Sequence, residues 1–141
     1  MIAHPSANAA ILAFANETHQ YLSNGDDGYA LVQGTQDAFT ILDVIGNWDA
    51  DPGSGWDVAG ESAATKDHTL VRKSTVTQGV GYDWATAAGP NAEDSQWIVY
   101  DQNTWDYLGS HDFTGNCGAA VPGCTNENAS NYNADATEDD G

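Results

Sequence analysis

The chain has 141 residues, 40% of them hydrophobic and 10% aromatic, which suits one domain with a short appendage and excludes disorder throughout. Three basic residues stand against 21 acidic ones, a formal net charge of -18. Such a surface repels nucleic-acid phosphates and anionic membranes, attracts cations, and stays soluble in salty water, where ions screen its self-repulsion.

Nucleic acid is therefore not expected as a direct partner, and no stretch reads as a membrane span. Five Trp and six Tyr against one Met favour a β-rich core with rigid aromatic anchors. The opening Met1-Ile2-Ala3-His4-Pro5 lacks the basic start of a signal peptide. If the protein is secreted, its upstream part is expected to lie outside this chain.

Residues 6–15 are rich in Ala and Leu and predict a short helix, with Ile11, Leu12 and Phe14 as its buried edge. Asn24-Gly25-Asp26-Asp27-Gly28 is a turn by composition. Residues 29–33 and 38–45 predict two strands of a β-hairpin, joined by a loop of about four residues at 34–37. In the second strand Phe39, Ile41, Asp43 and Ile45 alternate with Thr40, Leu42 and Val44. Both faces are largely apolar, so this strand is expected to be central in its sheet.

Residues 46–55 form an acidic loop ending in Pro52-Gly53-Ser54-Gly55, and Trp56 just after it is expected to plug the core. Residues 65–73 and 96–100 predict further strands, 84–90 an irregular packed segment, and 104–108 a last apolar patch or helical turn. The sum is an all-β chain with one short N-terminal helix. About four or five strands are legible, against seven or so in a closed sandwich, so loops hide strands or N-terminal strands are lacking.

Composition changes after His111, which divides the chain into 1–112 and an irregular acidic tail, 113–141, rich in Asn, Asp and Gly. Cys117 and Cys124 flank a six-residue loop. They could close a small disulfide ring in an oxidising compartment, and they are too few for a structural zinc site.

The chemistry-bearing groups are mostly oxygens. Asn131, Asn133, Asp135, Asp139 and Asp140 offer ligands at near-alternate positions, as in a loop wrapping calcium, although Ala136 stands where an EF-hand has its turn glycine. Asp49 and Asp51, with Asp57 beyond the corner, form a second candidate cation site; the alternative is that they are solvated turn formers, as are Asp26 and Asp27. His4, His19, His68 and His111 are scattered without ligand spacing, and Ser54 lacks the spacing of a nucleophile elbow. Trp48, in the acidic loop, is the expected exposed aromatic. Trp56, Trp84, Trp97 and Trp105 are either core or a sugar platform, with core favoured for Trp56 and Trp97. Lys66, Arg72 and Lys73 are expected to pair with carboxylates.

Taken in order, Ile2-Ala3-His4-Pro5-Ser6, Asn24-Gly25-Asp26-Asp27, Leu42-Asp43-Val44-Ile45-Gly46, Asp51-Pro52-Gly53-Ser54-Gly55-Trp56-Asp57-Val58-Ala59-Gly60, residues 65–73, Trp97-Ile98-Val99 and Trp105-Asp106-Tyr107-Leu108-Gly109-Ser110-His111 form a recurring pattern. In this pattern residues 4–111 resemble the lamin-tail domains of secreted multidomain proteins of marine bacteria. The resemblance implies an immunoglobulin-like β-sandwich and further strands upstream of Ile2, so that exposed sheet edges would be covered by a partner chain or an oligomer. Residues 123–141 resemble a short Cys/Asn/Asp repeat of bacterial surface proteins, with Ser130 where that repeat often has a cysteine.

The function expected from these readings is a non-catalytic extracellular or cell-surface module: structural, adhesive or targeting, binding another extracellular protein or surface component and recruiting calcium at its acidic clusters. Two other classes are an accessory domain of a secreted nuclease or phosphatase, and a carbohydrate-binding sandwich that would need at least two coplanar exposed tryptophans.

Overall fold

A computed structural model describes residues 1–22 and 24–111. The tail 113–141, with both cysteines and the five tail ligands Asn131, Asn133, Asp135, Asp139 and Asp140, lies outside the described residues.

The described chain is mostly strands with little helix. In order it runs β1 (Ile2–Ala3), α1 (Ala9–Leu12), β2 (Glu17–Thr18), β3 (Tyr29–Thr35), β4 (Ala38–Ile45), β5 (His68–Arg72), α2 (Trp84–Ala88) and β6 (Trp97–Asp101). The strands form three two-stranded sheets: β1 with β2 in parallel, and β3 with β4 and β5 with β6 antiparallel. Among the described residues no helix is long and apolar enough to cross a membrane.

The N-terminal helix is shorter than the sequence suggests. Asn8 caps it by accepting from the Ala10 amide at 2.9 Å, because an Asn side chain satisfies one of the orphan amides that a helix start leaves. Residues 4–7 are spent on a turn before it, with the Ala7 amide donating to the His4 carbonyl. Past Leu12 the bonds tighten to the i→i+3 type, from Phe14 to Ile11 and from Ala15 to Leu12, and the helix ends. Ile11 and Leu12 are half-buried as expected, but Phe14 is exposed.

The β3–β4 hairpin is tighter than expected, with a two-residue turn at Gln36 and Asp37. Gly34 belongs to the strand and makes this possible. Its φ is +134°, and a Cβ there would stand 2.3 Å from the Ala38 carbonyl oxygen. Pairing slips between Leu31 and Val32, so Leu31 faces Asp43, Val32 faces Ile41, and Leu42 is the extra residue of a bulge.

The expectation of a central β4 is corrected. Among the described residues its only strand partner is β3. Its outer edge is closed by the 79–81 loop, where the Gly81 amide donates to Leu42 O at 3.0 Å and the Val80 amide to Asp43 Oδ1 at 3.2 Å. The apolar run earns burial only at its end, where Val44 is buried and Ile41 and Ile45 pack beside the core.

That core gathers Val44, Val58, Ala64, Trp84, Ala87 and Ala88, with Trp56, Leu70, Trp97 and Val99 packed against it. Its main anchor is Trp84, 6% exposed, on a helix where the sequence suggested irregular chain. Asp83 caps α2 by accepting from the Thr86 amide at 3.1 Å and the Thr86 hydroxyl at 2.7 Å. The last helical carbonyls find partners in distant loops: Ala88 O accepts from the Ala59 amide at 2.8 Å and Ala87 O from the Gln96 amide at 2.9 Å. A helix of five residues persists because these tertiary bonds complete it.

Candidate functional site

The open end of the β3–β4 hairpin carries the most distinctive surface. Tyr29 and Ile45 are paired, so the turns on either side of the hairpin, 24–28 and 46–51, must lie next to each other. Each is an acidic turn. In the second, Asn47 Oδ1 accepts from the Asp49 amide at 2.9 Å and Asp51 Oδ1 from the Gly53 amide at 2.7 Å. The first is tethered through Thr65, whose hydroxyl donates to Gly25 O while accepting from the Trp56 amide.

The two turns meet where Trp48 lies over Gly28. A Cβ on Gly28 would come within 2.7 Å of the indole Cδ1, so only glycine lets the ring settle there. Around this contact is an open depression of about 600 Å³, lined by Tyr21, Asp26, Asp27, Tyr29, Asn47, Trp48 and Asp51 among others. Trp48 is 51% exposed, and Tyr82 meets it edge-on, with ring centroids 6.5 Å apart and planes at 76°. On the other side of Tyr29 a second depression of about 550 Å³ is lined by Asn24, Asp67, His68, Gln102 and Trp105 among others. Asp27 and Tyr29 border both depressions, and each makes a further contact within the fold.

Carboxylates beside exposed ring faces suit a cationic organic group. An ammonium or guanidinium gains charge-assisted hydrogen bonds from the acids and cation–π attraction from the rings. A bare metal ion would need several converging oxygens. Asp51 reaches the depression with Asp26 and Asp27, whereas Asp49 is not among its lining residues. Asp57 turns the other way and holds its own loop by accepting from the Ala63 amide at 2.8 Å and the Ser62 hydroxyl at 3.2 Å. Among the described residues no three or more His, Cys, Asp or Glu are grouped to hold a metal.

Two of the histidines bond their own local backbone: His4 Nδ1 accepts from the Ser6 amide at 3.0 Å, and His68 Nδ1 meets Lys66 O at 2.8 Å. Trp48 is exposed as expected. Trp56 and Trp97 are half-buried against the core, Trp105 is half-buried, and Trp84, weighed as a platform residue, is buried. One exposed indole with an edge-on tyrosine does not make the flat two-ring surface that a sugar platform requires.

Of the basic residues, Arg72 pairs with Asp43 at 2.9 Å and lies over the Trp97 ring at 4.4 Å. Among the described residues no carboxylate pairs with Lys73. Its ammonium donates to the backbone carbonyls of Ala92 and Glu93, at 2.8 and 3.0 Å.

No protein-family model matches the chain, and neither a characterised protein nor a solved structure shows significant similarity to it.

The depression joins residues that the sequence reading kept apart. Asp26 and Asp27 read as turn formers, and Tyr21 carried no signal at all. A usable signal existed in the hairpin itself, because pairing 29 with 45 forces the two flanking acidic turns together.

Proposed function

We propose that the chain is a non-catalytic, immunoglobulin-like β-sandwich module of a secreted or cell-surface protein, of the lamin-tail kind, that binds another extracellular protein or surface component. The observation that carries this reading is the exposure of apolar side chains along one hairpin. Leu31 is 64% and Phe39 47% exposed, and Val32 and Leu42 are exposed beside them. By the pairing register Leu31 lies on one face of the hairpin and Val32 and Phe39 on the other, so both faces offer apolar surface for something to dock on. The acidic–aromatic depression at the base of the same hairpin adds a site for positive groups. Two antiparallel strand pairs, β3–β4 and β5–β6, packed on one core support the sandwich, and the resemblance of the loop motifs supports the family. Calcium belongs to this reading as a ligand of the acidic tail.

The test is site-directed photo-crosslinking. A benzophenone side chain is placed at Phe39 or, as a control, at the exposed Asn91, and the full chain is presented to extracellular material from its source. A discrete adduct at 39 and none at 91 is the expected result. Equal labelling at both positions, or none at 39, would sink the reading.

A further inference from the structure

The outer edge of β3 lacks the protection that the outer edge of β4 has. Natural edges are blunted by charge, proline, bulges or covering loops. The bulge and the 79–81 loop serve β4 in this way. On the other side, β3 reads Tyr-Ala-Leu-Val-Gln-Gly-Thr, with no charge and no proline, and among the described residues no strand pairs with that edge. All residues from 31 to 40 are exposed.

Among the described residues, charge along this edge stands at its two ends. Asp26 and Asp51 line the depression at its start, and Asp37 sits in the turn at its far end. The seven residues of β3 span about 23 Å at the usual strand rise.

We propose that this edge is a strand-addition site for an extended segment of another protein, uncharged over about six residues and carrying a lysine or arginine at each end. Main-chain hydrogen bonds to β3 would supply affinity without much sequence preference. The end carboxylates would select the segment and fix its register, with the basic residue at one end entering the aromatic-lined depression.

A second copy of the chain is the poorer occupant. Antiparallel self-pairing would set the Asp26 end of one copy against Asp37 of the other, and parallel pairing would set like ends together. In both cases carboxylate meets carboxylate. The net charge of -18 adds to the repulsion, and Arg72 and Lys73 are already engaged inside the fold. This inference rests on the binding-module reading above and specifies the chemistry of the partner.

The probe is a capped ten-residue peptide, two lysines at each end of six alternating threonines and valines. Binding to the full chain is measured by fluorescence anisotropy in 50 mM salt, and hydrogen exchange is followed over residues 30–35. The expected result is saturable binding with slowed exchange in that segment. Affinity should fall at least tenfold when the end lysines become glutamates, and also when the valine amides are N-methylated. Asp37→Lys, on an exposed turn, should weaken the lysine peptide and strengthen the glutamate peptide.

Equal binding of the N-methylated peptide would overturn the proposal, since attraction to an acidic surface would then suffice. Unchanged exchange over 30–35 would overturn it too. So would sedimentation showing a dimer that Leu31→Lys dissociates, because the occupant would then be a second copy. If the peptides fail while crosslinking at Phe39 still gives a discrete adduct, strand addition is wrong and the module reading stands. Failure of both removes both.

Discussion

The hairpin β3–β4 and the region built from β5, α2 and β6 contain similar proportions of apolar residues, and the fold treats them in opposite ways. Around α2, Trp84, Ala87 and Ala88 are buried, and loops from 59 and 96 close over the helix end. Along the hairpin, Leu31, Val32, Phe39 and Leu42 remain in water. Burial here follows long-range closure more than side-chain hydrophobicity. Where distant loops pack over a face, as they do around α2, apolar side chains are covered. Where the chain only turns back on itself, they are not. The 79–81 loop meets β4 only at its edge and leaves Leu42 in water.

The strongest way to break this contrast is to remove the anchor. Trp84→Ala should cost about 3–5 kcal/mol, as buried aromatic deletions do, and chemical denaturation would read it. A cost no larger than that of a surface change would mean that α2 is not the centre of the core.

The link between the two regions is Asp43, which reaches from β4 to Arg72 on β5 and also accepts from the Val80 amide. Asp43→Ala leaves a half-buried guanidinium without its partner and should cost about 1.5–3 kcal/mol, the usual range for hydrogen bonds to charged groups. Hydrogen exchange should then rise in the hairpin before it rises in β5 and β6. A uniform rise would show that the two regions open together.

Calcium sharpens the comparison from the acidic side. At about ten times its dissociation constant it should raise stability by about 1.4 kcal/mol by linkage. The calorimetric heat should disappear in Asp135→Asn with Asp139→Asn and persist in Asp51→Asn. Loss of heat in Asp51→Asn alone would move the metal to the hairpin depression.

Smaller still is the pH effect of the α2 cap. The Thr86 hydroxyl, and then the Thr86 amide, hold the Asp83 carboxyl below its ordinary range. A depressed folded value means that the stabilisation is present above the unfolded value near ~4 and is lost as pH falls through the folded one. Asp83→Asn should therefore differ less from the wild type at pH 2 than at pH 6 in thermal midpoint. A constant difference would refute the cap's titration.

The smallest expected effect is the most diagnostic for function. Leu31→Thr with Val32→Thr should change stability by no more than about 0.5 kcal/mol per site, as exposed positions do, while abolishing the adduct formed from position 39. A large loss of stability would place these side chains in a core.

Much of the local architecture was legible in the residues. Alternation and turn chemistry located β3, β4, β5 and β6 to within a few residues, and Trp48 was rightly expected in water. These features depend on neighbours in sequence: the two-residue period of a strand, the preference of Asn, Asp and Gly for turns, and the difficulty of burying an aromatic among carboxylates.

The tertiary structure alone decided the rest. Ala85-Thr86-Ala87-Ala88 becomes helical because Asp83 caps its start and loops from 59 and 96 complete its end. Gly34 joins the strand because its backbone can take a positive φ. Apolar β4 stays half in water because no further described strand comes to cover it. The acidic–aromatic depression exists only because hairpin closure brings 24–28 to 46–51. The completed end of α2 and the depression are set by contacts between residues far apart in the chain, and a local pattern carries no term for such a contact.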